Sequence, residues 1–125
     1  MESVIIIVPR GVPLELLIES VRLACEVESA SGNWLLIKSK GRRAFIGEDP
    51  AVRDELEPNE LDKLLLLIPD PSFYPLDYSD IEFCKELLRM IVDRSDVLVD
   101  NSHGIVCSGV EFLSMIQSLP GWDWR

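Results

Sequence analysis

At 125 residues, 47% of them hydrophobic, the chain carries enough apolar material for one core of ordinary size, without help from metals or disulfides. Its net charge of −10 repels nucleic acid, whose affinity comes mainly from Lys and Arg neutralising phosphates. Three cysteines, far apart and never in a CxxC spacing, argue against a disulfide framework and for a reducing, cytoplasmic setting.

The charge is unevenly placed. Residues 1–47 hold five acids and six bases, residues 48–82 eleven acids and two bases, and residues 83–125 six acids and four bases. The middle third therefore carries nearly all the excess, a pattern that suits a basic partner and speeds its arrival.

In chain order, MESVIIIVPRG has an acidic Glu2 and an apolar run too short for a signal peptide or a membrane span. Val4–Val8 within it predicts a buried central strand. Pro13 then suits the first turn of a helix whose stripe is Leu14, Leu17, Ile18, Val21 and Cys25, with a loop at 29–32. Trp34–Ser39 and Arg43–Gly47 predict two strands joined around Lys40-Gly41-Arg42. Asp49 and Pro50 predict the start of a short helix, Ala51–Glu57, ended by Pro58. The apolar run Leu64–Ile68 predicts another interior strand, and Pro69–Pro75, with three prolines, a stiff surface loop presenting Phe73 and Tyr74.

Ser79-Asp80-Ile81-Glu82 fits a capping box with Ser79 as N-cap, followed by an apolar face of Ile81, Cys84, Leu87, Leu88 and Ile91. Asp96–Val99 and Ile105–Cys107 predict a hairpin about Asn101–Gly104, with Asp100 opposite Ile105, Val99 opposite Val106 and Leu98 opposite Cys107. Ser108-Gly109-Val110-Glu111 repeats the capping box, opening a helix that turns Val110, Phe112, Leu113 and Ile116 inward and ends at Pro120-Gly121. The sum is a single α+β domain over residues 1–125. About six strands form a mostly antiparallel or mixed sheet, with three main helices packed on it.

The stretch DNSHGIVCSG, from Asp100 to Gly109, holds the only histidine and one cysteine. On the predicted hairpin His103 sits at the tip, about 13 Å of extended chain from Cys107. A thiolate–imidazole pair requires roughly 2.6–3.2 Å, so the hairpin excludes that dyad. Asp100 and Asn101 are expected to organise the turn, and Cys25, Cys84 and Cys107 to act as small apolar residues. There is no HExxH, EF-hand loop, GxSxG, GxxxxGK[ST] or GxGxxG. No catalytic residue, metal or cofactor is therefore expected. The carboxylates of Asp54, Glu55, Glu57, Glu60 and Asp62 flank Pro58 and Asn59 and read as solvated, not as a general acid–base pair.

Binding is the better prospect. Residues 48–62 hold seven acids against Arg53, and rigid aromatics at Phe73 and Tyr74 would suit an interface. The tail carrying Trp122 and Trp124 is expected to dock on the domain. The basic hairpin, with Lys38, Lys40, Arg42 and Arg43, lacks the aromatic interleaving of a nucleic-acid surface.

The passage DVLVDNSHGIVCSGVEFLSMIQSLPGWDWR resembles the ending of small bacterial immunity proteins, which accompany secreted or contact-delivered toxins. The resemblance covers the last quarter of the chain: the Gly104 turn, the helix containing Phe112 and the Trp-Asp-Trp end. It implies a non-enzymatic inhibitor that binds one cognate toxin and occludes its active site. Toxin-facing residues differ between such families, so none is carried over. The interface expected from charge and aromaticity is Asp54, Glu55, Glu57, Glu60, Asp62, Phe73 and Tyr74. Two rivals stand beside it: an enzyme or ligand-binding domain with a pocket near His103 and the Pro69–Pro75 loop, and a structural subunit whose tryptophan tail reaches a neighbour. A homodimer is compatible with any of the three.

Overall fold

A computed structural model describes residues 1–125. Its centre is one antiparallel sheet of seven strands in the order β2-β3-β4-β5-β1-β6-β7. The strands are β1 (Glu2–Pro9), β2 (Glu26–Ser29), β3 (Leu35–Ser39), β4 (Arg42–Ile46), β5 (Pro71–Tyr78), β6 (Leu98–Asp100) and β7 (Val106–Ser108). Six helices complete it: α1 (Leu14–Leu17), α2 (Glu19–Ala24), α3 (Val52–Glu55), α4 (Pro58–Leu67), α5 (Ile81–Ile91) and α6 (Gly109–Ser118). The class is α+β, as the sequence predicts, with one strand more than expected.

The alternation of β1 divides the apolar residues into two layers. Val4, Ile6 and Val8 face a large core closed by α1, α2, α5 and α6, where Leu17, Ile18, Val21, Cys84, Leu87, Leu88, Phe112 and Ile116 are buried. Ile5 and Ile7 face the other way, into a small cluster with Phe73, Val52, Leu64 and Ile68 that joins α3 and α4 to the sheet. The continuous apolar run of β1 is thus accounted for by helices on both faces.

Several boundaries differ from expectation. The Leu14–Cys25 stripe is two helices interrupted at Ile18, and Cys25 is the half-buried C-cap of the second. Asp80, not Ser79, caps α5, its carboxylate accepting from the Phe83 amide at 3.0 Å. Ser108 caps α6 as predicted, accepting from the Glu111 amide at 3.1 Å, but Val110 turns outward at 54% exposure. The β6–β7 hairpin forms with its register one residue away: Asp100 opposes Val106, Val99 opposes Cys107 and Leu98 opposes Ser108. The Asn101 carbonyl side chain accepts from the amides of both His103 (2.9 Å) and Ile105 (3.0 Å), which draws an extra residue into the loop.

Two larger corrections concern residues 64–75. Leu64–Ile68 is not a strand: it forms the last turns of α4 and its C-cap, because Pro58 starts a helix at N1 instead of ending one. Pro69–Pro75 is not a surface loop either, since residues from Pro71 onward build β5, paired with the whole of β1. Pro71 and Pro75 are tolerated there by parity. Asp49 donates its amide to the Phe73 carbonyl at 3.0 Å, so the backbone groups of residues 71, 73 and 75 point away from β1. The ladder to β4 covers only Leu76–Tyr78, so the missing proline N–H groups fall beyond its end.

The tail docks inward. Trp124 is 7% exposed, packs edge-on to Tyr78 and Phe112, and donates its indole N–H to the Tyr78 hydroxyl at 2.8 Å. Trp122 stacks beside it on Phe112.

Candidate protein-docking face

The acidic segment folds as a layer on the second face of the sheet. Asp49 accepts from the Ala51 amide at 3.1 Å in the turn before α3, which is capped by Ala51 and runs only over Val52–Glu55 instead of the expected Ala51–Glu57; Val52 turns down onto the sheet. After Leu56, Pro58 starts α4, and the spacing Leu61, Leu64, Ile68 puts one stripe against Ile7, Phe73 and Leu98. Most residues outside that stripe are pushed outward. Asp54, Glu55, Glu57, Glu60 and Asp62 are therefore all exposed, as are Leu66 (84%) and Leu67 (70%) at the far end of the same helix.

None of the five carboxylates is neutralised by the chain itself. The ion pairs lie elsewhere: Arg10–Asp70, Arg22–Glu15, Lys38 with Glu26 and Glu28, Arg42–Glu86, Lys85–Glu82, Arg94–Asp96, Arg125–Asp123 and His103–Glu2. Arg53 and Lys63 lie in the same layer without forming ion pairs, so it keeps an excess of negative charge facing solvent.

Two clefts run beside α4. One, of about 530 Å³, is lined by Glu60 of the helix and by Asp100, Ser102, Gly104 and Val106 of the β6–β7 hairpin. The other, of about 220 Å³, is lined by Leu67, Ile68, Pro9 and residues 95–98. Glu60 and Leu67 are about 10 Å apart along the helix axis. A carboxylate-walled cleft and a largely apolar one thus share one helix. In the second cleft, Arg94 donates to both Asp96 oxygens at 2.9 Å and holds that carboxyl below its ordinary range.

Phe73 and Tyr74 do not belong to this face as anchors. They are 3% and 4% exposed: Phe73 supports α3 and α4 from beneath, while Tyr74 enters the main core and donates its hydroxyl to the Val12 carbonyl at 3.2 Å. The structure thus keeps the five acids together and removes the two aromatics. The contributions of Leu66, Leu67 and Asp100 are not visible in the sequence without knowing that residues 64–67 are helical and lie beside β6.

His103 is paired with a carboxylate and not with a cysteine. Its Nε2 lies 2.9 Å from the Glu2 carboxylate, both side chains being partly open to solvent. Cys107 opposes Val99, and burial pushes the thiols of Cys25, Cys84 and Cys107 above their usual range, away from the reactive thiolate. No three His, Cys, Asp or Glu side chains converge as metal ligands, and no helix is long and apolar enough to cross a membrane. No family model, curated protein or solved structure matches this chain.

Proposed function

We propose that the chain is a non-enzymatic, immunity-type inhibitor that captures a basic bacterial toxin on its α3–α4 face and blocks the toxin's active site. The observation that carries this reading is the set of five exposed carboxylates, gathered in one helical layer and left unpaired by the chain's own cations. Their field steers a cationic surface inward and raises the rate of encounter, while Leu66 and Leu67 supply apolar area that desolvates on contact. The C-terminal resemblance to immunity proteins points the same way. If the toxin is a nuclease, the carboxylates occupy the place of phosphates.

The test co-expresses the chain in a sensitive host with basic toxic domains, beginning with any that a neighbouring gene encodes. The wild-type chain restores growth. The variant D54N/E55Q/E57Q/E60Q, at equal abundance, associates about tenfold more slowly at low salt, and its rate loses most of its salt dependence. Absence of protection by the wild-type chain overturns the inhibitor reading. An unchanged association rate in the variant overturns the role given to this face.

A further inference from the structure

A second feature of the surface has the opposite sign. At the far end of the sheet the β3–β4 hairpin and the α2–β2 junction enclose a cavity of about 590 Å³, lined by Lys38, Lys40, Arg42 and Arg43 with Glu26 as the one acid. An adjoining cavity of about 400 Å³ shares Cys25, Ser39, Lys40 and Arg42 and adds Arg89 and Glu86. In a chain of net charge −10 this is a trough walled by five cations and two acids.

The cations divide into two groups. Lys38 is held by Glu26 (3.8 Å) and Glu28 (3.3 Å). Arg42 is fixed by Glu86 at 2.7 Å and by the Phe83 ring, 4.6 Å beneath its guanidinium. Lys40 and Arg43, both exposed, have no acidic partner within ion-pair distance, and Lys38 and Arg43 stand directly opposite each other across β3 and β4. A like-charge cross-strand pair is unfavourable unless a counter-charge sits beside it. The acids around Lys38 answer half of that pair and leave Arg43 open. The turn is set for this display, because Lys40 (φ 52°) and Gly41 (φ 78°) both adopt the left-handed backbone of a two-residue hairpin.

We propose that this trough binds a small molecule through a phosphate or pyrophosphate group. Lys40 and Arg43, the two cations left open, close on the anion beside Lys38 on one face of the hairpin, while Arg42 points to the opposite face, toward α5. A planar guanidinium matches phosphate oxygens in pairs, and the lysine adds a mobile point charge. Leu23, 90% exposed at the rim, lies against the apolar remainder of the ligand. The acidic layer does not forbid this. From β3 to β6, where α4 packs, is four strand spacings, about 19 Å, against a screening length of about 8 Å in physiological salt.

The experiment titrates the full chain with pyrophosphate by calorimetry at fixed ionic strength, with citrate and inorganic phosphate as comparison probes. One saturable site per chain is expected, filled at submillimolar pyrophosphate and more weakly by phosphate. Lys40→Asn keeps a side chain that tolerates the left-handed turn, and Arg43→Gln leaves the strand intact. Each weakens binding about tenfold, as loss of a charged hydrogen bond requires, while Lys63→Gln on α4 leaves it unchanged. No saturable heat at millimolar pyrophosphate overturns the proposal. So does tighter binding of citrate, or equal weakening by Lys63→Gln. Circular dichroism of each variant separates loss of binding from loss of fold.

Discussion

Replacing Trp124 by alanine removes the keystone of the C-terminal tail, and the structure sets the size of the effect. The indole is 93% buried, since 7% remains exposed, and it touches Tyr78, Phe112 and Trp122 with ring centroids 6.2, 5.3 and 5.1 Å away. Truncating a buried tryptophan to alanine costs about 3–5 kcal/mol through lost burial and the cavity left behind. The Tyr78 hydroxyl, on a residue with no exposed surface, also loses its donor at 2.8 Å, which adds about 1 kcal/mol. The total, about 4–6 kcal/mol, approaches the whole stability of a typical domain. For 125 residues the unfolding entropy near the midpoint is about 0.26 kcal/mol/K, so Trp124→Ala lowers Tm by about 15 °C or more. Urea melts followed by circular dichroism measure the free energy independently, with an unchanged slope expected if the tail stays docked and a smaller one if it undocks before unfolding. Trp124→Phe retains most of the packing and isolates the hydrogen bond. In a double-mutant cycle with Tyr78→Phe, the two substitutions couple by about 1 kcal/mol. A Tm loss under about 4 °C for Trp124→Ala would refute the claim that the tail belongs to the core.

Gly109→Ala is expected to destabilise by about 2 kcal/mol or more, because the new Cβ would lie 2.3 Å from the Val92 carbonyl oxygen, a backbone atom that cannot turn aside; wild-type stability in urea would show that this junction relaxes freely. The alkaline limb of stability is the other sharp expectation. Burial pushes the Tyr78 hydroxyl up to about 12, so the folded chain keeps a proton that the unfolded chain releases near pH 10. Stability from this group is complete below about pH 10 and falls by about 2–3 kcal/mol as pH rises toward 12. Cys84, raised by the same burial, starts the decline nearer pH 9. Urea melts across that range should show the loss, and Tyr78→Phe should flatten its upper part; an equally steep limb in that variant would exclude Tyr78 as the cause.

How far the sequence leads depends on how many physical signals agree at a given stretch. For β1, α5 and α6 several signals concur, and the elements lie where the residues predict, with β1 begun two residues earlier, the α5 cap moved one position to Asp80, and Val110 of α6 turned outward. Leu64–Ile68 is ambiguous because five consecutive apolar residues satisfy a period of 2 and one of 3.6 alike. The deciding evidence lies upstream, in Pro58 at N1 and in Leu61, which extends the stripe to Leu64 and Ile68. β5 is hidden by its prolines, whose count suggests a loop while their odd-numbered placement is what a strand can accept. β2 is missed because Val27 is its one apolar residue among Glu26, Glu28 and Ser29. Of the docking face, the acids are legible from charge alone. The burial of Phe73 and Tyr74 is not, since it follows from β5, and neither is the exposure of Leu66 and Leu67, which follows from α4.

Pro75 also governs the path of the chain. Continuing the β4–β5 register past Ile46 and Leu76 would bring Gly47 opposite Pro75, which has no amide hydrogen to offer. The seam therefore unzips there. It is caught once more by the Asp49 amide on Phe73 and is abandoned before Pro71. Freed from its neighbour, the backbone passes to the uncovered side of the sheet and lays down the two acidic helices. The gap that Pro75 leaves in the seam is thus where the chain departs for the layer that Val52, Leu64 and Ile68 then fasten to the sheet.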